Sequence, residues 1–137
     1  MKALSPRDRA LVSFLLATGA RISEALGIKE DDISPLAGHY AIQLLGKGNK
    51  KRTVYYEKKV SFADLGSRMA ITNRIRRASK RALGRSLSAH CMRHTFATRM
   101  IAAGKSLTAV SRYLGHSSVA ITGDLYVHDD LTWDDLK

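Results

Sequence analysis

Tyr40-Ala41-Ile42-Gln43-Leu44-Leu45 and Arg52-Thr53-Val54-Tyr55-Tyr56 decide the fold class of this 137-residue chain. Both are β-branched, aromatic or aliphatic runs of strand length. They flank Gly46-Lys47-Gly48-Asn49-Lys50-Lys51, a glycine-rich reversal of the kind that closes a hairpin. Everything around this hairpin carries helical spacing. The order, helices then hairpin then helices, predicts a mainly α (α+β) fold with one small antiparallel sheet after the second helix.

Upstream, Ser5-Pro6 reads as a helix start, with the serine as cap and the proline at the first helical position. Leu11, Phe14, Leu15 and Thr18 then recur at helical spacing until Gly19 stops the run. A second short helix is expected from Ser23, as its cap, to Gly27, with Ile22, Ala25 and Leu26 inward. Downstream, residues 67–83 read as a basic amphipathic helix. Met69, Ile71, Ile75 and Ala78 stand opposite Arg74, Arg76, Arg77, Lys80 and Arg81. Further helices are expected from His94 to the stop at Gly104, from the Ser106 cap to Gly115, and over residues 118–125.

The net charge of +11 is unevenly placed. Residues 1–46 hold five basic and five acidic side chains, whereas residues 47–105 hold sixteen against two, Glu57 and Asp64. The tail from Asp124 reverses sign. So dense a basic segment is the electrostatic footprint of a polyanion partner, and nucleic acid is the expectation. A membrane surface is disfavoured, because the segment lacks a strong Trp/Phe/Leu face. The longest apolar run, residues 10–17, is broken by Ser13 and too short to span a bilayer. The amino terminus is not arranged as a signal peptide. One cysteine, Cys91, excludes an internal disulfide. One domain, residues 1–137, in the cytoplasm and associated with the nucleoid, is expected.

Several positions carry chemistry. His90 and Arg93 lie three apart at a helix start, so a phosphate over that end meets an imidazole, a guanidinium and the positive helix terminus. The same pair also reads as a capping histidine and a solvated arginine. His94 begins an apolar run and reads as packed. His90 and His94 have zinc-ligand spacing, but no glutamate accompanies them and Arg93 would repel a metal, so neither metal nor cofactor is expected. Lys47 at a hairpin tip is placed to enter a DNA groove, or to be a solvated turn. Its glycines lack the nucleotide-binding pattern. Arg21, His116 and Tyr126 complete the set: arginines match phosphate oxygens, histidine moves protons, and tyrosine can hold a covalent ester.

Taken in order, these segments resemble the catalytic domain of the tyrosine recombinases, the phage-type integrases. Residues 17–26 (ATGARISEAL) are similar to the first-arginine motif, and Gly46-Lys47-Gly48-Asn49-Lys50-Lys51-Arg52 to the hairpin lysine. His90-x-x-Arg93-His94-Thr95-Phe96-Ala97-Thr98 matches the central box, Leu114-Gly115-His116-Ser117-Ser118 the histidine box, and Tyr126-x-His128 the nucleophile segment. The resemblance implies that Arg21 and Arg93 clamp the scissile phosphate and Lys47 protonates the leaving 5′-hydroxyl. It further implies that His90 assists at the nucleophile, His116 bonds the phosphate and Tyr126 forms a 3′-phosphotyrosyl bond. Glu24 is expected to support an arginine. Lys50, Lys51, Arg52, Arg74, Arg76, Arg77, Lys80 and Arg81 are the expected DNA contacts. A tetramer on DNA, with residues 128–137 as an exchanged tail, follows from the same likeness. The family's amino-terminal DNA-clamping domain is expected to be absent. The interval from Lys47 to His90 is short for the family, and that from His116 to Tyr126 is one residue longer than the family's usual spacing. Competing expectations are a non-catalytic DNA-binding relative and a type IB topoisomerase.

Overall fold

The computed structural model describes residues 4–115. Helix α1 (Pro6–Thr18) starts where expected: Ser5 is extended, and its hydroxyl accepts from the Asp8 N–H at 3.1 Å. It stops at Gly19, whose left-handed φ of 72° lets its N–H reach back to the Leu15 carbonyl. Leu11, Phe14 and Leu15 are fully buried on its inner face. Helix α2 (Ile22–Leu26) departs in its cap. Ser23 is exposed within the helix, and the carboxylate of Glu24 receives the Arg21 N–H at 2.8 Å. The helix therefore starts at Ile22, before Ser23 could cap it, with Glu24 reaching back to the N–H of the cap residue Arg21.

A three-stranded antiparallel sheet follows, in the order β1 (Ile33–Leu36), β2 (His39–Leu45), β3 (Lys51–Tyr56). The expected hairpin is β2–β3, with Ile42 opposite Val54 and Leu45 opposite Lys51. Strand β1, for which the sequence reading has no counterpart, carries Pro35 and lies at the sheet edge, where a missing N–H costs no ladder bond. At the tip, Gly48 and Asn49 both take positive φ, 71° and 60°, and the Gly46 N–H donates to the Lys50 carbonyl at 2.7 Å. Those two residue types tolerate that conformation, which is why the reversal is so tight.

Three helices complete the described chain: α3 (Arg68–Leu83), α4 (Ala89–Ala102) and α5 (Leu107–Tyr113). Serines 67, 88 and 106 cap them, each accepting an N–H three residues on. The Ser88 cap starts α4 five residues before the expected His94 and brings His90 into its first turn. Ile71, Ile75 and Ala78 of α3 are buried as expected, but Met69 is 74% exposed. Arg74 also leaves the exposed basic face. Its Nε donates to Asp8 Oδ2 at 2.8 Å and its Nη2 to the Leu65 carbonyl at 2.6 Å, tying α3 to α1.

The core lies where α1, α4 and the inner face of the sheet meet. Phe14 meets Tyr56 edge-on at 5.1 Å, and Phe96 of α4 stacks on Tyr113 of α5 at 5.6 Å. The fold is mainly helical with a small antiparallel sheet after α2. No helix among the described residues is long and apolar enough to cross a membrane. The expected helix over residues 118–125 and the tail lie outside the described residues.

Candidate functional site

Glu24 is the hub of the site. Its side chain is 2% exposed, and both oxygens are used. Oε1 accepts from the Arg21 N–H at 2.8 Å and from Arg52 Nη2 at 2.9 Å. Oε2 accepts from Arg52 Nε at 3.4 Å and Arg21 Nη1 at 3.5 Å. Burial pushes this carboxyl up, but the Arg52 hydrogen bond and charge, the Arg21 N–H and the Arg21 charge outweigh it. The net pKa lies below the ordinary 4.5. The base of the hairpin closes on the same group: a Cβ at Gly46 would stand 3.1 Å from Glu24 Oε2.

Arg93 is buried in the first half of α4. Its Nη1 donates to the Gly19 carbonyl at 2.9 Å and its Nη2 to the Leu114 carbonyl at 3.2 Å. It is therefore built into the fold and is not a solvated helix charge. Burial, then the charges of Arg21 and Arg52, lower its pKa to about 10, with Glu24 opposing them. Among the described residues, Arg21 and Arg52 bond Glu24 and Arg93 lies within electrostatic reach of all three, a gathering of positive charge that favours a bound anion.

Arg52, expected among the DNA contacts, points into this cluster. Its side chain is only 12% exposed, and its Nη1 donates to the carbonyl of Tyr113, the last residue of α5. Tyr113 itself is buried, its phenol oxygen accepting the Tyr55 N–H at 3.0 Å. Burial pushes that phenol well above its ordinary range, so it stays neutral.

An open groove of about 550 Å³ runs from the cluster along α3. It is lined by Arg21, Ile22 and Ser23 at the start of α2, by Arg68, Met69, Thr72, Asn73 and Arg76 of α3, and by Ser88 and His90 at the start of α4. Arg21 and His90, sixty-nine positions apart, thus share one groove, and Arg93 lies within electrostatic reach of Arg21. The backbone of Lys47 begins the turn at the hairpin tip, and Lys50 and Lys51 beside it are exposed. The basic residues of α3 divide. Arg76 faces the groove, while Arg77 and Arg81 join Arg74 and Asp8 around a separate recess of about 290 Å³. Lys80 is exposed, and so is His94, contrary to its expected packing. His116 and Tyr126 lie outside the described residues. Among the described residues no group of three or more His, Cys, Asp or Glu could hold a metal.

Sequence reasoning missed the inward use of Arg52 and the contribution of Thr72 and Asn73 to the groove. The second had a local signal, since both lie at helical spacing from Arg76. The first had none.

A model described as the phage integrase family matches residues 1–63 and 63–132. The tyrosine recombinase XerC of Mycobacterium bovis is 35% identical over 153 residues, which is 91% of this chain and 50% of the relative. The tyrosine recombinase XerD of Corynebacterium glutamicum is 33% identical over 158 residues, 96% of this chain and 50% of its own. The chain thus spans about half the length of these relatives. Among solved structures, the XerH site-specific recombinase bound to difH substrate superposes with a TM-score of 0.70 at 26% identity. That match covers 93% of this chain and 45% of the other.

Proposed function

The chain belongs to the phage integrase family, and on that premise we propose that it cuts and rejoins double-stranded DNA as part of a site-specific recombinase. The observation that carries this reading is the cluster of Arg21, Arg52 and Arg93 around Glu24. It is buried on one side and opens beside His90 into a basic groove.

The chemistry assigned to it is phosphoryl transfer to a tyrosine. The Tyr126 oxygen attacks the scissile phosphorus, the phosphorus–O5′ bond breaks, and Lys47 supplies the proton that the departing 5′-oxygen needs. His90 assists proton transfer at the nucleophile, and His116 bonds a phosphate oxygen. Arg21 and Arg93 meet the negative charge that builds on the non-bridging oxygens, as cations already in place need no reorganisation to do so. The phosphotyrosyl ester conserves the bond energy, so rejoining requires neither nucleotide hydrolysis nor a metal. Arg68 and Arg76 along the groove, with Lys50 and Lys51 at the hairpin, supply contacts to the DNA backbone. Assembly is proposed as a tetramer on DNA, with residues 128–137 exchanged between protomers. The proposed location is the cytoplasm, in association with the nucleoid.

The test is a nicked suicide duplex incubated with the protein in EDTA. The expected result is a covalent protein–DNA adduct that disappears in Tyr126→Phe. An adduct that survives Tyr126→Phe would overturn the nucleophile assignment. DNA binding without any adduct would favour a non-catalytic relative.

A further inference from the structure

The phosphate chemistry set out above gives Arg52 no part, yet all three arms of its guanidinium are engaged. Strand β3 delivers it from the return arm of the hairpin that carries Lys47. Its Nη2 and Nε grip both oxygens of Glu24, at 2.9 and 3.4 Å. Its remaining arm, Nη1, donates to the Tyr113 carbonyl. The next carbonyl in the chain, that of Leu114, is held by Arg93 at 3.2 Å. Two arginines therefore hold consecutive carbonyls where α5 ends, the negative pole of that helix.

The chain then passes directly over Arg52. A Cβ at Gly115 would lie 2.9 Å from Arg52 Cδ, and Gly115 has a φ of 83°, so only glycine fits both the space and the backbone. One guanidinium thus links the carboxylate beneath Arg21 to the segment entering residue 116, bridging 28 positions on one side and 61 on the other.

We infer that Arg52 is a positioning residue, holding Glu24, and through it Arg21, in fixed relation to the end of α5. The inference rests on the reading of this cluster as the phosphate site. Lysine cannot replace it, because one ammonium cannot grip a carboxylate side-on and reach a carbonyl with a third arm.

The test uses the full chain and three measurements: single-turnover cleavage of the nicked duplex in EDTA, affinity for intact duplex across salt, and thermal melting. Arg52→Lys is expected to slow cleavage by about tenfold or more, in line with the cost of sub-ångström misplacement. Affinity should stay within about twofold and its salt slope should not change, because the side chain does not face DNA. Combined with Glu24→Gln, it should cleave no slower than the slower single variant, since both act through one link. Wild-type cleavage by Arg52→Lys, multiplicative losses in the pair, or a shallower salt slope would each overturn the inference. If Arg52→Lys fails to fold, Glu24→Gln alone decides: an isosteric change that leaves cleavage untouched shows that the link is not needed. Failure of the parent reading appears separately, as an unmodified protein that binds duplex and forms no adduct; that result removes the inference as well.

Discussion

At the scale of single residues, Glu24 ties stability to pH. Its pKa is held below the ordinary 4.5 in the folded chain. A carboxyl depressed in this way contributes stability that is present in full above its unfolded pKa. That stability is lost as pH falls through the depressed native value. Melting temperature followed from pH 7 downward should therefore fall more steeply below about pH 4 in the wild type than in Glu24→Gln. Parallel curves would show that the carboxylate adds nothing. Truncation is harsher: Glu24→Ala strands the Arg52 guanidinium without its counter-charge, and a loss of about 3 kcal/mol is expected in denaturant titration.

At the scale of elements, α3 presents two basic faces with different fates. Arg76 lines the groove that holds Arg21 and His90, whereas Arg77 borders the recess around Asp8 and Arg74. Arg76→Ala is expected to weaken duplex binding and to reduce the slope of log affinity against log salt by about one. Arg77→Ala should leave that slope within error of wild type, and equal effects would show that the helix lies differently on DNA. Local signals read such elements well. The caps at Ser5 and Ser106, the stop at Gly19 and the tight reversal at Gly48 and Asn49 need only their neighbours in sequence, and each falls where expected. Strand β1 escapes because its stability comes from β2 and not from its own residues. Arg52 and Arg74 escape for a related reason. Their partners are 28 and 66 positions away, and nothing local distinguishes an arginine facing DNA from one facing a distant carboxylate. The segment motifs supply candidates; only the fold shows which of these charges hold one another in place.

At the scale of the whole molecule, one junction joins the first helix to the last two described. A Cβ at Gly19 would meet Leu114 Cδ2 at 2.4 Å and Phe96 Cδ2 at 2.8 Å, and the φ of 72° there strains any side chain. Gly19→Ala is expected to cost about 2–4 kcal/mol, combining backbone strain with overpacking, read as a lower denaturant midpoint. A wild-type midpoint would show that α1, α4 and the end of α5 can part without penalty. Arg93 sits at the same junction, donating to Gly19 and Leu114 while serving as a proposed phosphate ligand. Its two duties constrain how such a sequence can decay. A lineage released from selection for cutting still needs this guanidinium, because removing it leaves the Gly19 and Leu114 carbonyls without that buried donor. Inactive descendants should therefore keep Arg93, and its presence in a sequence testifies to an intact scaffold before it testifies to a working enzyme.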